Sequence, residues 1–445
     1  MKRLISTLTV LLVVGLILAG CASSPSPTTT APPPVTAPTT TSAAPSTTAP
    51  PATTSKPPTT TPAPTTTTTP PPTTPAAPQV LKIGGLFGLT GFFSDFDQVQ
   101  AQEAQLTVDM INAAGGVMVQ GQQYNIQLIT YDFKSTVDGV TAGANQLIFQ
   151  DKVKFIIAPS AFFSGASTDI CESNKVIRGE TFVSGTVQEL GPNMPYTFLC
   201  HNSAFEHALT VIKYLKQTYP DVKTVAYVTP GDAQPDTIAK VTAMLNQANL
   251  TVVGQPILFA NETIDFSPIA SKLVASKADA IFMMNGVGFH AGNLLKSVRQ
   301  LGSNMLYAAA IDNAPIDILT IAQPSNSNRF FAPGIYKGAP STPPLMQTYI
   351  DKIYAKYGER SIHMQSVNVL YMFKQAIEKA NSLDTTVVRD TWEKMDTMQT
   401  PYGTAKLGGL QTYGIKHAYS HPDQVWTLDN GQPKFGAWID VSPMP

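Results

Sequence analysis

Two histidines near the end of the chain have the spacing of a metal-binding pair. His417 and His421 are four residues apart, which would place both imidazoles on one face of a helix. Their surroundings, which include Tyr413-Gly414, favour strand and loop instead. We therefore predict no metal site here, and we expect His201 and His207 to lie at the surface or at helix caps.

Catalytic motifs with a defined spacing are missing from the sequence. It contains no G-x-S-x-G elbow, no H-E-x-x-H, no Walker loop and no C-x-x-C pair. An enzyme should show a nucleophile with its base and orienting group, or a set of metal ligands. We predict that the protein is not an enzyme and uses no cofactor or metal.

The first 21 residues predict export. A basic start, Lys2-Arg3, precedes an apolar run from Leu8 to Leu18, which is too short for a comfortable transmembrane helix. The run ends in Leu18-Ala19-Gly20-Cys21, which resembles the bacterial lipobox. The resemblance implies cleavage before Cys21 and acylation of that cysteine, and a plain secretory signal is the alternative.

Residues 22–78 have the composition of a disordered linker. They consist almost wholly of Thr, Pro, Ala and Ser, with Lys56 as the single charge. Such a segment has too little apolar surface to offset the entropy of ordering. Its prolines favour extended polyproline II, so it could hold a domain on the order of 100 Å from the membrane. We interpret it as a passive spacer, with an O-glycosylated stalk as the alternative.

Cysteine content leaves one structural question open. After Cys21 the chain has only Cys171 and Cys200. An exported protein can keep a disulfide, and an even pair permits one. Two buried free thiols would give the same sequence, so both alternatives stay open.

Length and charge limit the class of protein. The formal net charge of the 445 residues is −1, and no long basic run is present, so nucleic acid is not an expected partner. Residues 79–445 are long enough for two lobes of ordinary domain size.

Short apolar segments and amphipathic segments alternate from residue 81 to residue 311. Helical spacing of apolar residues begins near Val99, and Gly115-Gly116 should end that helix. The predicted strands are 81–87, 124–131, 153–158, 223–229, 251–253, 278–284 and 305–311, and the predicted helices between them are 137–150, 237–249, 268–275 and 291–301. This order is typical of an α/β fold with parallel sheets, and its length favours two doubly wound lobes.

The last hundred residues break that rhythm. Helical patterns are predicted over 343–357, 367–380 and 387–395. From Tyr402 the chain is rich in glycine and β-forming residues, and Asp429-Asn430-Gly431 is a good hairpin turn. A chain that ends this way should cross between the lobes more than once.

Three short motifs follow one another along this part of the chain. They are Lys82-Ile83-Gly84 with Leu89-Thr90-Gly91, residues 109–117 (DMINAAGGV), and Asp265-Phe266-Ser267-Pro268. In this order they resemble the leucine/isoleucine/valine-binding family, the type I periplasmic solute-binding proteins of ABC importers. The first is similar to that family's first strand and ligand-facing turn, the second to a helix end, and the third to a helix start in its second lobe. In the last motif, Ser267 is a natural N-cap and Pro268 suits the first helical position.

The resemblance implies two α/β lobes joined by three crossovers and closing on a ligand by hinge motion. The crossovers are expected near 200–204, 334–338 and 400–403. The N-terminal lobe would then comprise residues 79–202 and 338–400, and the C-terminal lobe residues 203–337 and 401–445.

The resemblance also implies a set of ligand-binding residues. Ser164-Gly165 and Ser184-Gly185-Thr186 match the loops that hold a ligand carboxylate, at strand ends where open α/β sheets bind ligands. Thr90 lies in the ligand-facing turn, and Asp312 matches the acid that pairs with a ligand ammonium.

Aromatic residues depart from the family pattern. Gln234 and Val287 stand where the second lobe often has a tyrosine. Five phenylalanines on predicted cleft loops indicate a ligand with an apolar or aromatic body. They are Phe92, Phe93, Phe162, Phe163 and Phe289.

Taken together, these features predict an exported, lipid-anchored solute-binding protein on the outer face of the cell membrane, or in the periplasm of a cell with two membranes. Its ligand would be a small amino acid or related carboxylate, its partners the permease subunits of an ABC importer. A binder of an aromatic acid or amide, and a ligand-sensing module of a membrane receptor system, are the alternatives.

Overall fold

The structure is a computed structural model that describes residues 77–445, except 186–188 and 232, and except the side chains of residues 161 and 162. The predicted signal segment with Cys21, nearly all of the linker, Thr186 and the side chain of Phe162 lie outside the described residues. All described residues belong to one compact unit of the chain. In this part of the protein, no helix is both long and apolar enough to cross a membrane.

The first sheet has nine strands and is mostly parallel around its first strand. Its spatial order is β13-β14-β15-β6-β5-β4-β1-β3-β2. The strands are β1 Gln79–Phe87, β2 Val117–Val119, β3 Gln122–Asp132, β4 Phe155–Ile157, β5 Ile177–Glu180, β6 Thr197–Leu199, β13 Thr397–Thr400, β14 Gly403–Gly408 and β15 Ala418–Ser420.

The second sheet has eight strands and a parallel centre. Its order is β17-β16-β12-β11-β10-β7-β8, and β9 pairs with β7. The strands are β7 Thr224–Pro230, β8 Thr251–Val252, β9 Ile257–Phe259, β10 Ala280–Met284, β11 Leu306–Ala310, β12 Phe330–Pro333, β16 Asp423–Asp429 and β17 Gln432–Ile439. The last two strands are antiparallel, joined at the predicted hairpin, where Asn430 and Gly431 both have positive φ (51° and 73°).

Helices connect the strands and cover both sheets. They are α1 Ser94–Ala113, α2 Val137–Asn145, α3 Thr168–Ser173, α4 Ala204–Thr218, α5 Pro235–Gln247, α6 Ser267–Ala275, α7 Gly288–Gln300, α8 Pro315–Ala322, α9 Pro344–Tyr357, α10 Gln365–Ala380, α11 Thr385–Trp392 and α12 Leu410–Tyr413. A π-helical turn, Gln146–Gln150, extends α2, and a 3₁₀ segment, Ala161–Ser167, precedes α3.

Two helix starts differ from the sequence prediction. Helix α1 begins at Ser94, before Val99, because its first turn carries Asp95 and Asp97 and so lacks the apolar spacing that marks the rest. Ser267 is not the cap of α6; the side chain of Asp265 accepts the hydrogen bond from its backbone N–H at 2.9 Å.

The two cysteines lie in separate cores. Cys171 on α3 belongs to the cluster that also contains Leu199, and Cys200 packs with Phe198 on the other face of the first sheet. Side chains of successive strand residues point to opposite faces, so the sheet lies between the two sulfurs. Of the two alternatives left open, the structure has buried free thiols.

The chain passes between the sheets at three places. It leaves the first sheet after Leu199 and the second sheet after Pro333, and it returns to the second sheet after Ser420. The third crossover is therefore later than the predicted 400–403, and residues 401–420 belong with the first lobe. The reason is that β14 pairs with β13 and β15 pairs with β6, both in the first sheet. The pairing of β15 with β6 joins segments about 220 residues apart, so the β-forming composition of the chain does not predict it.

Candidate ligand-binding site

A cavity of about 600 Å³ lies between the first and second lobes, at the N-termini of α1, α7 and α8. This volume is in the usual range of small-molecule sites. Its walls are mainly apolar and aromatic, and a few acidic and polar side chains interrupt them. The lining residues are Phe92, Phe93, Asp95, Phe96, Glu262, Ile264, Val287, Gly288, Phe289, Asp317, Thr320, Ile321, Ser361 and His363.

Phe92 reaches the cavity because the loop before α1 is tightly held. Gly91 has φ of +90°, and a Cβ there would meet the Ser135 side chain at 2.8 Å, so only glycine suits the turn. The Ser135 hydroxyl accepts a hydrogen bond from the Phe93 N–H at 3.2 Å. Thr90, a predicted ligand contact, donates its hydroxyl proton to Asp132 at 2.8 Å and is not among the lining residues.

The predicted aromatic residues divide between the cavity and the core. Phe92, which is 44% exposed, the largely buried Phe93 and Phe289 line the cavity. Phe163 is buried and packs on Phe133 with ring centroids 4.9 Å apart and on Phe92 at 6.0 Å. Phe163 therefore supports Phe92 from behind and is not a lining residue.

Ser164 is also fully buried and is not among the lining residues. Its hydroxyl donates to Glu180 at 2.7 Å, and its carbonyl oxygen accepts from Arg178 at 2.7 Å. Arg178 and Glu180 form a fully buried ion pair at 2.9 Å. Ser164 thus belongs to a buried polar network that the sequence analysis did not detect.

The loop at Ser184-Gly185 presents the donors that the family resemblance implies, and they hold a carboxylate of the chain itself. The Ser184 N–H and hydroxyl donate to Glu189 Oε1 at 3.1 and 2.9 Å, and the hydroxyl is also 3.0 Å from Oε2. The Gly185 N–H donates to Oε2 at 3.1 Å. Neither Ser184 nor Gly185 lines the cavity.

The second lobe holds this loop in place. Thr237 on α5 donates its hydroxyl proton to the Gly185 carbonyl oxygen at 2.9 Å, and the Asn285 amide donates to the Ser184 carbonyl oxygen at 3.3 Å. Gln234, the predicted contact, is the exposed N-cap of α5 and does not line the cavity. The inward-facing residue of this helix start is instead Thr237, one turn later.

Asp312 lies behind His363 and not at the cavity wall. Its carboxylate is 4% exposed, and its Oδ2 is 3.7 Å from Nδ1 of His363, which does line the cavity. Burial by itself lowers the pKa of His363, but Asp312, together with Glu103 and Asp317, raises it overall. The imidazole of His363 therefore lies between Asp312 and the cavity.

The acids at the cavity wall are Asp95, Glu262 and Asp317, none of which the motifs indicated. Burial raises the pKa of Asp317, while His363 and a hydrogen bond from Ser361 oppose the shift. These acids come from three distant stretches of chain, so no local spacing could have revealed them.

His201 and His207, which were expected at the surface or at helix caps, are instead buried together with His421. His201, His207 and His421 are each at most 1% exposed, and His421 Nε2 is 3.0 Å from His201 Nδ1. They are buried because His201 and His421 lie on chain segments that pass from one sheet to the other, and His207 lies on the inner face of α4. His417 lies apart and contacts the Thr197 carbonyl oxygen at 2.8 Å. Among the described residues, no group of three or more acids, histidines or cysteines has an arrangement that could hold a metal ion.

A family model described as Periplasmic binding protein matches residues 80–422, which is most of the chain. The chain belongs to the periplasmic binding protein family. The resemblance inferred from the short motifs is thus confirmed. Both lobes have the mixed α/β architecture that the sequence predicts.

Relatives agree with this assignment. The leucine-, isoleucine-, valine-, threonine- and alanine-binding protein of Pseudomonas aeruginosa is 25% identical over 363 residues, which cover 79% of this chain and 92% of the relative. The branched-chain amino acid transporter substrate binding protein LivJ of Streptococcus pneumoniae, solved with isoleucine, superposes with a TM-score of 0.68 at 18% identity, covering 82% of this chain and all of the other. A solute binding protein of an R. palustris ABC transporter, solved with benzoate, superposes with a TM-score of 0.65 at 14% identity, covering 82% and 98%. At such identities the structural matches show the fold.

Proposed function

We propose that this periplasmic binding protein is the extracytoplasmic solute-binding component of an ABC importer. It would capture a small amino acid or a related amphipathic compound in the interlobe cavity and deliver it to a membrane permease. The observation that carries the proposal is the cavity itself: about 600 Å³ between two lobes, apolar at most of its wall and polar at a few points. The ligands named for the amino acid-binding relative and the benzoate-bound structure support the same solute class.

Capture would begin on one lobe and end with closure of the other. Phe92 and Phe96 of the first lobe offer a face for the apolar part of the solute, and Phe289 and Ile321 of the second lobe would cover it. Contacts that both lobes make with one solute favour the closed form, because the ligand can shift the equilibrium only by its difference in affinity for the two forms. The permease would then recognise the closed form.

The binding of a ligand carboxylate by Ser184 and Gly185 stays a prediction. Its donors are engaged by Glu189, so a ligand carboxylate could reach them only if that side chain moved away.

A matched pair of phenylalanine variants tests the proposed cavity. Phe92 is 44% exposed at the cavity and Phe149 is 49% exposed elsewhere on the first lobe. A thermal-shift screen of amino acids, aromatic acids, amines and amides should find a stabilising solute. Phe92→Ala should then weaken its binding about tenfold or more, as loss of a buried aromatic contact implies, and Phe149→Ala should not. Equal affinity in the two variants would argue against the cavity, and no stabilising solute would argue against the function.

Attachment to the membrane is proposed to depend on Cys21. The expected result is that the protein fractionates with membranes and that Cys21→Ser moves it to the soluble fraction. If wild-type protein is already soluble and carries no lipid by mass spectrometry, the segment is a plain secretory signal.

A further inference from the structure

Most charged side chains that line the interlobe cavity are acidic, although the sequence predicts a ligand with a carboxylate. Asp95, Glu262 and Asp317 lie in its wall, and no Lys or Arg is found among the described residues that line it. Among the described lining residues, the one basic group is His363, which Asp312 already faces at 3.7 Å. A negatively charged group in this cavity would therefore meet three carboxylates, and the lining that the structure describes has no Lys or Arg to offset them.

Buried polar atoms next to the cavity point the same way. Both carboxylate oxygens of Asp312 and the Nδ1 atom of His363 lack a hydrogen-bond partner among the described residues, although the two side chains are only 4% and 2% exposed. The imidazole of His363 also stacks on Phe96, with ring centroids 4.3 Å apart. A carboxylate left without a donor at this depth is costly, and the nearest positive charge that offsets this cost is the His363 imidazole, whose pKa Asp312 raises; that charge is therefore not available to a ligand carboxylate.

The loop that the family resemblance assigns to a ligand carboxylate is already filled. Glu189 receives two backbone N–H bonds and the Ser184 hydroxyl, all within 3.1 Å. The side chain is 2% exposed, and Thr237 and Asn285 hold the loop from the second lobe. The chain therefore supplies its own carboxylate to this set of donors.

We propose that the ligand is an apolar or aromatic amine, recognised through its cationic group by the acids of the cavity, and that it needs no carboxylate. This inference rests on the proposed solute-binding function and specifies the charge of the solute. The ammonium would lie near Asp317 and Glu262, and the hydrocarbon part would contact Phe92, Phe96 and Phe289. Aromatic faces add to the attraction, because they are favourable neighbours of a cation.

The test uses three probes with the same hydrocarbon body: phenylalanine, 2-phenylethylamine and 3-phenylpropionate. Isothermal titration of the purified protein should give the amine an affinity equal to or higher than that of the amino acid, and the acid at least 100-fold lower affinity. Binding of the acid within tenfold of the amine, or binding of the amino acid without the amine, would overturn the proposal. The leucine-sized set, 3-methylbutylamine and 4-methylpentanoate, repeats the comparison for a branched body.

Acid-to-amide variants locate the cationic group. Glu262→Gln and Asp317→Asn should each lower the affinity for the amine at least tenfold, whereas Asp221→Asn, an exposed acid outside the cavity, should leave it unchanged. Equal affinity in all three variants contradicts the assignment.

Variants of Glu189 test the assignment of the Ser184-Gly185 loop independently. In Glu189→Ala the donors of the loop become available, so acetate should raise the melting temperature of this variant more than that of the wild type. An equal effect of acetate on both proteins would overturn the assignment of this loop, and Glu189→Gln serves as the folded reference if the alanine variant is unstable.

Failure of the charge assignment is distinguishable from failure of the function. If all three probes fail to bind while a solute without a cationic group stabilises the protein in the thermal-shift screen, the inference is wrong and the solute-binding function stands. If no solute binds, both are wrong.

Discussion

Replacing Arg178 with methionine should destabilise the protein by about 3–5 kcal/mol, the usual cost of breaking a buried ion pair by removing one partner. Arg178 is fully buried and 2.9 Å from Glu180. It also donates to the carbonyl oxygens of Ser164 at 2.7 Å and Glu189 at 2.9 Å. One guanidinium therefore ties together the two loops that the family resemblance assigns to the ligand.

The loss should grow with pH. Burial raises the pKa of Glu180 to about 7 even though Arg178 and a hydrogen bond from Ser164 lower it. Without Arg178 this pKa rises further, so the native variant keeps a proton that both the wild type and the unfolded chain have released. Because only the variant's native state then holds this extra proton, its loss of stability relative to the wild type grows as pH rises, by up to about 1.4 kcal/mol per pH unit above pH 7.

Urea denaturation followed by circular dichroism at pH 6 and pH 8.5 measures both effects. Glu180→Gln in the Arg178→Met background replaces the titrating carboxyl by a neutral amide, which needs no proton when the chain folds, and should recover a large part of the loss at pH 8.5. A loss below about 1 kcal/mol, or a loss that shrinks as pH rises, would refute the reasoning, because the buried pair would then contribute little.

Three further outcomes are expected. Trp392→Ala should cost about 3–5 kcal/mol in urea denaturation, since this fully buried side chain leaves a large cavity in the first-lobe core; a cost under 1 kcal/mol would mean that the core refills the space. Burial lowers the pKa of His207 and of His421 from 6.5 to about 4, so the unfolded chain takes up protons first and the contribution of each histidine to stability should fall as pH falls from 6.5 towards 4, by up to about 3 kcal/mol. The difference in melting temperature between the wild type and the double glutamine variant measures this contribution, and a difference that does not change with pH would contradict it. Cys171 and Cys200 should react with a thiol reagent only after denaturation, because burial raises the pKa of both thiols, and rapid reaction of the native protein would contradict their burial.

Much of the fold follows from local patterns. The strand predicted over 124–131 is Gln122–Asp132, and the helix predicted over 343–357 is Pro344–Tyr357. Both have residue periodicities that neighbours in the chain create, so a short window of sequence contains the signal. The hairpin turn after Asp429 is equally local, because only a few residue types tolerate positive φ at both central positions.

The residues of the candidate site were predicted less completely from the sequence than the secondary structure. Phe92 and Phe289 were predicted as cleft residues, and they line the cavity. Asp312 was predicted to contact the ligand, but its carboxylate lies behind the cavity wall. His363, from the segment before α10, lies between Asp312 and the cavity. The spacing of a motif gives the position of a residue on its own loop, but not which side chain from elsewhere lies in front of it.

The sequence alone determined the alternation of strands and helices, the two-lobe α/β class and the loops from which a ligand site could be built. Only the tertiary structure decided that β14 and β15 join the first sheet, that Glu189 fills the donors of the Ser184 loop, and that Asp95, Glu262 and Asp317 meet at one cavity. The physical reason is the separation, along the chain, of the residues that interact. Secondary structure depends on contacts within a few residues, whereas strand pairing, burial of charge and the lining of a cleft depend on segments that are hundreds of residues apart in the chain and adjacent only after folding.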